Sequence, residues 1–379
     1  MPRVLVVNAG SSSLKVSVIE VGRREPLAAT QVDWGSDATA VPDRRGTLNK
    51  AFATLAEQGF GADSLELVAH RVVHGGALFR APTIIDDNVI RELSSLEPLA
   101  PLHNPVAVWT MRAQRRAMPD LPAVAVFDTA FHASLPEAGY VYALPWSWYA
   151  DWGVRRFGFH GISVAWSVRR CAELLSRPAG DLSIVVAHLG NGCSVTAVNR
   201  GASASTSMGL TPLEGLVMGT RAGSIDPGAI LYAMREHGLD RSDVSRVLDH
   251  ESGLLGVSGL TGDVRTLVGA ARSGNERAQL ALDIFVRRAA EEIAAGATNL
   301  PRLDGLVFTG GIGANAAGIR SAICERLSLV GVPRVPAHAA DEDTILATSR
   351  EGVAVLRVEA REDLVIADEA AGVLKADAR

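Results

Sequence analysis

The chain has 379 residues, of which 47% are hydrophobic, and a formal net charge of −5. That length usually serves more than one core, so two domains are expected. The acidic balance argues against a polyanion-binding surface and sets nucleic acid aside as a partner. No apolar run approaches the roughly eighteen residues of a membrane span, so no membrane partner is expected.

In chain order, residues 4–20 read as strand, turn, strand. Val4, Leu5, Val6 and Val7 form a short apolar run, too short for the centre of a signal peptide. Residues 8–13 form a turn cluster of Asn, Ala, Gly and Ser, after which residues 14–19 alternate apolar and polar. Residues 47–58 read as a helix, with Leu48, Ala51, Phe52 and Leu55 at helical spacing. Residues 66–73, 123–127, 183–187 and 305–308 are compact β-rich runs that end in glycine or polar residues. Residues 276–299 form the clearest long helix, with Leu280, Ile284 and Phe285 placed on one face. Strands alternating with helices indicate an α/β protein. The three cysteines, Cys171, Cys193 and Cys324, make neither a disulfide framework nor a zinc spacing, and a reducing cytoplasm fits them best.

An internal repeat is the most informative structural feature. Residues 4–18, VLVVNAGSSSLKVSV, lie over residues 184–198, IVVAHLGNGCSVTAV, without a gap and at an offset of 180. Asn8 meets His188 and Gly10 meets Gly190. The pattern indicates a duplicated domain in which each copy opens with a hairpin. The boundary is expected near Trp146, Trp148, Tyr149 and Trp152, a segment read as hinge or interface packing. This gives a first domain over 1–147, with a C-terminal helix at 365–379 packing back on it, and a second over 148–364.

Two turns of small residues between strands, at 10–13 and 188–192, suit phosphate binding, because backbone N–H groups can approach phosphate oxygens. At matching positions of a repeat they suggest two jaws on one polyphosphate. A third glycine cluster, Thr309 to Asn315, follows a strand and is expected to precede a helix. No GxGxxG or Walker loop occurs. Polar groups stand in apolar surroundings at His70, Arg71, His74, His103, Asp128, His132, His160 and Arg221. Arg71 and Arg221 are the most telling, since a buried arginine needs an anionic partner and a planar guanidinium suits carboxylate or phosphate. Only Lys15, Lys50 and Lys375 are lysines, so a lysine inside a motif stands out. Together these features fit phosphoryl transfer, which needs positioning, positive charge and magnesium more than covalent chemistry.

The motifs NAGSSSLK at 8–15, HRVVHGG at 70–76, LAPLHNP at 99–105, FDTAFH at 127–132, HLGNG at 188–192, TPLEGLVMGTR at 211–221 and GSIDPG at 223–228 resemble the acetate kinase family, in order and over nearly the whole chain. The resemblance implies two duplicated actin-like (ribonuclease H-like) domains that close around ATP, and a cytoplasmic homodimer. It implies reversible Mg2+-dependent transfer between ATP and acetate, giving ADP and acetyl phosphate, with Mn2+ as a substitute ion. Among its implied roles, Asn8 and Glu362 serve the metal, and Lys15 reaches ATP phosphate. Arg71 binds the acid substrate and the transferring group, and Val73, Leu102, Phe159 and Pro212 wall the methyl pocket. Asp128 occupies the position of the catalytic acid or base, while His160 and Arg221 stabilise the transition state. His188, Leu189, Gly190, Asn191 and Gly192 grip the phosphates. Asp263, Val264 and Arg265, with Gly311, Ile312, Gly313, Ala314 and Asn315, hold the nucleoside side.

Chemistry constrains one of these roles. A carboxylate substrate titrates near about 4 and is already ionised at neutral pH, so it needs no base. Asp128 is therefore expected to orient an arginine or a metal-bound water. The chain also departs from the family pattern. Ala314 stands where an acidic residue is usual, and Cys193 stands for a serine. Ile162 and Ser163 follow Gly161, where threonine and then serine are usual after the histidine. At 361–364 the sequence is Arg-Glu-Asp-Leu, which leaves Glu362 and Asp363 as competing metal-site carboxylates. A kinase for propionate or another short acid is the nearest alternative. A non-catalytic nucleotide clamp and a hydrolase without an acyl acceptor are remoter ones.

Overall fold

The computed structural model of the chain describes residues 1–10, 13–33, 41–101, 103–338 and 340–377, with backbone alone for 41–45 and 377. The chain divides into two compact units. One comprises Met1–Ala133, Phe159–Trp166 and Arg361–Arg379; the other comprises Ser134–Gly158 and Ser167–Ala360.

The first unit is built on six strands: β1 (Arg3–Ala9), β2 (Ser13–Glu20), β3 (Ala28–Asp33), β4 (Leu67–Val72), β5 (Thr83–Ile84) and β6 (Ala123–Phe127). They lie in the order β3-β2-β1-β4-β6-β5. The second unit has β7 (Ser183–Leu189), β8 (Cys193–Asn199), β9 (Ala202–Thr206), β10 (Gly305–Thr309), β11 (Thr344–Thr348) and β12 (Ala354–Arg357). Read from its β9 edge, that sheet runs β9-β8-β7-β10-β12-β11, which is the same order. In both sheets the first two pairings are antiparallel, the next two parallel and the last antiparallel. The duplication expected from the repeat is thus a duplication of topology, two α/β domains of actin-like type.

The gap-free superposition of the repeat fails at one point. Ala9 pairs with Leu14 across the first turn, whereas Leu189 pairs with Cys193 across the second. The second turn is one residue shorter, and because side chains alternate along a strand, the slip exchanges the faces of β8 relative to β2. Lys15 lies opposite Asn8, and the residue opposite His188 is Ser194, not Val195.

Both faces of the first sheet are covered, as parallel strands require. Leu5 and Val7 point into a core with Leu48, Phe52 and Leu55 of helix Val41–Glu57 and with Val106 and Met111 of helix Asn104–Ala117. Val4 and Val6 point the other way, into a core with Ile162 and with Val365, Ile366 and Ala370 of helix Glu362–Asp377. The C-terminal helix therefore packs on the first sheet. In the second unit, helix Glu276–Ala297 lies against β7 and β8, and a Cβ on Gly296 would come 3.4 Å from Val195 Cγ1. Its buried stripe is Ala278, Ala281, Leu282, Phe285, Ala289 and Ile293, and Leu280 is 51% exposed. Alanines, not the larger Leu280, mark the inner face.

Residues 134–147 group with the second unit rather than the first, and hydrogen bonds explain why. Ser134 Oγ donates to the Ser203 carbonyl at 3.2 Å, and Tyr142 Oη donates to Glu214 at 2.5 Å. Arg156 donates to three successive carbonyls, of Thr206, Ser207 and Met208, and to Glu214 at 2.6 Å. The tryptophan segment forms a short helix, Trp146–Ala150, with Trp146 and Trp152 largely exposed. Phe159–Trp166 returns to the first unit, where Gly161 N–H donates to the Asp128 carbonyl at 2.9 Å.

Candidate active site

In the first unit Asn8 is the next-to-last residue of β1, Arg71 lies near the end of β4, and Asp128 follows β6 directly. The parallel registers Val7↔His70 and Val72↔Phe127 bring the three together at the carboxyl ends of adjacent strands. That is where open α/β sheets place their ligands. Arg71 Nε and Nη2 donate to the two Asp128 oxygens at 3.0 and 2.6 Å, and Nη1 donates to Asn8 Oδ1 at 3.1 Å. Glu362, at the start of the C-terminal helix, completes the group. Its Oε2 accepts from Asn8 Nδ2 at 3.4 Å and lies 3.9 Å from Arg71 Nε. Asp363 instead pairs with Arg361, its oxygens 3.2 and 3.4 Å from the guanidinium.

Burial pushes the Asp128 carboxyl up, and the Arg71 guanidinium pulls the other way. Burial also disfavours charge on Arg71, but Asp128 and Glu362 outweigh it, so the guanidinium stays protonated. The bidentate contact is one that only a charged pair makes well. It leaves a second proton on each terminal nitrogen of Arg71 for another anion.

The surrounding residues are ordered around this pair. Val73 and Phe159 are buried, and the Phe159 ring meets His74 edge-on with centroids 5.2 Å apart. His160 has φ 57°, a left-handed backbone unusual outside glycine. Lys15 is exposed on β2 opposite Asn8. Leu102, and Ser11 and Ser12 of the first turn, lie outside the described residues.

In the second unit three glycine segments converge. At the end of β7, Gly190 N–H donates to the Gly192 carbonyl at 3.1 Å and closes the 188–192 turn. The turn after β10 abuts it: Gly310 has φ 76°, and a Cβ there would lie 2.7 Å from the Leu189 carbonyl oxygen. The loop carrying Arg221 abuts it as well. Gly219 N–H donates to the Asn191 carbonyl at 3.2 Å, and a Cβ on Gly219 would meet Asn191 Oδ1 at 2.4 Å. A Cβ on Gly262 would meet the Gly219 carbonyl oxygen at 2.6 Å, which brings Asp263, Val264 and Arg265 to the same place. Asp263 caps helix Val264–Arg272, Val264 is buried, and Arg265 is 93% exposed at its side chain. The cluster is thus a place where glycine lets three backbone segments pack closely, the kind of setting in which N–H groups can approach phosphate oxygens.

Arg221 donates to the Pro212 carbonyl at 3.3 Å and lies 3.9 Å from Met218 sulfur, neither of them an anion. Burial lowers its pKa from the ordinary guanidinium value, and Asp249 opposes that only from a distance. A partly buried guanidinium in this condition is a ready seat for an anionic ligand. The expected helix after the third glycine cluster differs in detail: the glycines themselves form a short helix, Gly310–Asn315, followed by Ala317–Arg326.

Sequence reasoning passed over two arginines. Arg320, fully buried, donates to the carbonyls of Gly313 and Ala314 at 2.8 and 2.7 Å, and Arg357 donates to Ala314 at 3.3 Å. They hold the turn in which alanine replaces the usual acid. The signal was an arginine inside a buried helical stripe with Ile319 and Ile323. Burial pushes the Cys193 thiol up to about 12, and its Sγ donates to the Gly190 carbonyl at 3.3 Å, so it packs as a neutral thiol. Among the described residues, no helix is long and apolar enough to cross a membrane.

The pattern of the acetokinase family matches residues 3–368. A protein of Synechococcus sp. (strain JA-2-3B'a(2-13)) named acetate kinase is 43% identical, over 99% of this chain and all of the relative. A protein of Salmonella typhimurium (strain LT2) named propionate kinase is 45% identical over 87% of this chain and 85% of its own length. The crystal structure of Porphyromonas gingivalis acetate kinase superposes with a TM-score of 0.87 at 32% identity, covering 99% of this chain and all of that one.

Proposed function

The chain belongs to the acetokinase family and is an ATP-dependent carboxylate kinase, and on that premise we propose that it transfers the γ-phosphoryl group of ATP reversibly to acetate, giving ADP and acetyl phosphate. The observation that carries this reading is Arg71, partly buried at the strand ends, charged, and fixed by Asp128 and Asn8 with protons to spare. In that pose it binds the acetate carboxylate and then the phosphoryl oxygens that approach it. Acetate attacks the γ-phosphorus with its own ionised oxygen, so Asp128 removes no proton and instead orients Arg71. Arg221 and His160 lay positive charge and a donor against the equatorial oxygens, where charge gathers in a loose transition state. The glycine cradle of residues 188–192 and 311–315 grips the nucleotide phosphates, Lys15 serves ATP phosphate, and the segment 263–265 serves the nucleoside side.

Magnesium is the proposed ion, with manganese able to replace it. Glu362 fits such an ion because it offers carboxylate oxygen, the donor that hard cations take, and Asn8 would add its amide oxygen, which Arg71 holds here at 3.1 Å. When bound, it would neutralise charge on the phosphate oxygens. Glu362 is preferred to Asp363 because it lies against Asn8 while Asp363 is engaged by Arg361.

Acetate is preferred to longer acids because a valine, Val73, and not a smaller residue stands on the proposed methyl wall beside Phe159, both of them buried. The Salmonella relative keeps propionate as the second reading. A single methylene is worth about 1–3 kcal/mol, so the two substrates overlap. kcat/KM measured for acetate, propionate and butyrate tests the choice. It should fall in that order, and a maximum at propionate would transfer the assignment.

We also propose a homodimer and a cytoplasmic setting. Helix Pro227–His237 buries none of its residues, while Leu231, Tyr232 and Met234 on it are exposed. A second copy would cover these side chains. The three cysteines are free, as a reducing compartment keeps them. Sedimentation at micromolar concentration tests the dimer, with a monomer as the contrary result.

A further inference from the structure

The peptide between Phe159 and His160 is gripped at both polar ends by one short segment of the first unit. Its carbonyl oxygen lies 3.0 Å from Nε2 of His132. Its N–H donates to the Asp128 carboxylate. The following peptide is tied to the same segment, since Gly161 N–H donates to the Asp128 carbonyl at 2.9 Å. A Cβ on Gly161 would stand 2.2 Å from that carbonyl oxygen, so the approach requires glycine.

His132 is buried, and burial pushes its imidazole down to about 4, so it is neutral at pH 7. A carbonyl only accepts, so the nitrogen facing Phe159 carries the proton. Turning the 159–160 peptide over would set its carbonyl against the Asp128 carboxylate and its N–H against the N–H of His132. The carbonyl–carboxylate contact would repel, and His132 could meet the turned N–H only by moving its own proton to Nδ1. The two side chains therefore select one orientation of this peptide, and with it the left-handed φ of 57° at His160. That backbone angle decides the direction in which the His160 imidazole leaves the chain.

We propose that His132 is a positioning residue for the reaction: its Nε2–H fixes the Phe159 carbonyl and so keeps the His160 side chain aimed at the transferring phosphoryl group. The proposal rests on the role given to His160 above. It assigns work to a histidine that touches no substrate and sits four residues past Asp128.

His132→Gln and His132→Asn separate the idea from a plain packing role. The glutamine amide reaches the place of Nε2, and the asparagine amide stops at that of Nδ1. His132→Gln should keep kcat within about threefold of wild type. His132→Asn should lose about ten- to a hundredfold, with KM for ATP and acetate nearly unchanged. In a His160→Ala background the asparagine variant should cost nothing further, because the group it aims is gone. Equal kcat for the glutamine and asparagine variants would overturn the proposal, and so would losses that multiply in the double variant. Wild-type turnover in His160→Ala alone would instead remove the role given to His160.

Discussion

Replacing Asp128 by asparagine tests the division of labour at the first-unit site. The wild-type carboxylate is almost fully buried and meets Arg71 through two contacts of 2.6 and 3.0 Å. Asparagine keeps one oxygen and turns an NH2 group toward the other donor, so one attraction becomes donor against donor. The charge on Arg71 is then left to Glu362 at 3.9 Å. Breaking one side of a buried pair costs about 3–5 kcal/mol. A unit of this size loses about 2–4 °C of melting temperature per kcal/mol, so a fall of about 10 °C is expected by calorimetry. The freed guanidinium also loses its aim, which should lower kcat by about a hundredfold at saturating acetate and ATP. A variant that melts with wild type and turns over at the wild-type rate would refute both the pairing and the orienting role.

Two further outcomes follow from the same geometry. Arg221→Ala should lower kcat by about a hundredfold or more, since removing one transition-state donor costs about 2.7–4 kcal/mol; a change confined to KM would contradict that role. His70 gives a pH dependence. Burial depresses its pKa from 6.5 to about 4, its Nε2 faces Gln114, and its Nδ1 is buried without a partner. The unfolded chain takes up this proton between those values and the native chain does not, so stability falls as pH drops through the window, by up to about 3 kcal/mol. Urea unfolding of His70→Gln should lack that part of the acid loss, and curves parallel to wild type from pH 7 to 4 would contradict it.

Much of the fold was legible in the sequence because buried parallel strands are continuous apolar runs. β4, β6, β7 and β10 fall within a residue or two of their expected places. The edge strands β3, β5, β9 and β11 were not, since they are short or mixed in polarity and depend on a neighbour for pairing. The repeat disclosed the duplication but not the shorter second turn, because matching residue types carry no register. The polar residues at strand ends pointed to Arg71, Asp128 and Arg221. Their partners depend on topology: Glu362 reaches Asn8 only because the C-terminal helix returns to the first sheet. The same holds for residues 134–158, whose hydrogen bonds to segment 203–214 override their place in the chain.

The most direct test of the central claim uses acetate labelled with 18O in its carboxylate. If the acetate oxygen itself attacks the γ-phosphorus, the acetyl phosphate formed with ATP carries 18O bonded to phosphorus, read as an isotope shift in its 31P resonance. ADP released without acetyl phosphate, or acetyl phosphate with no label at phosphorus, would contradict direct transfer to the carboxylate.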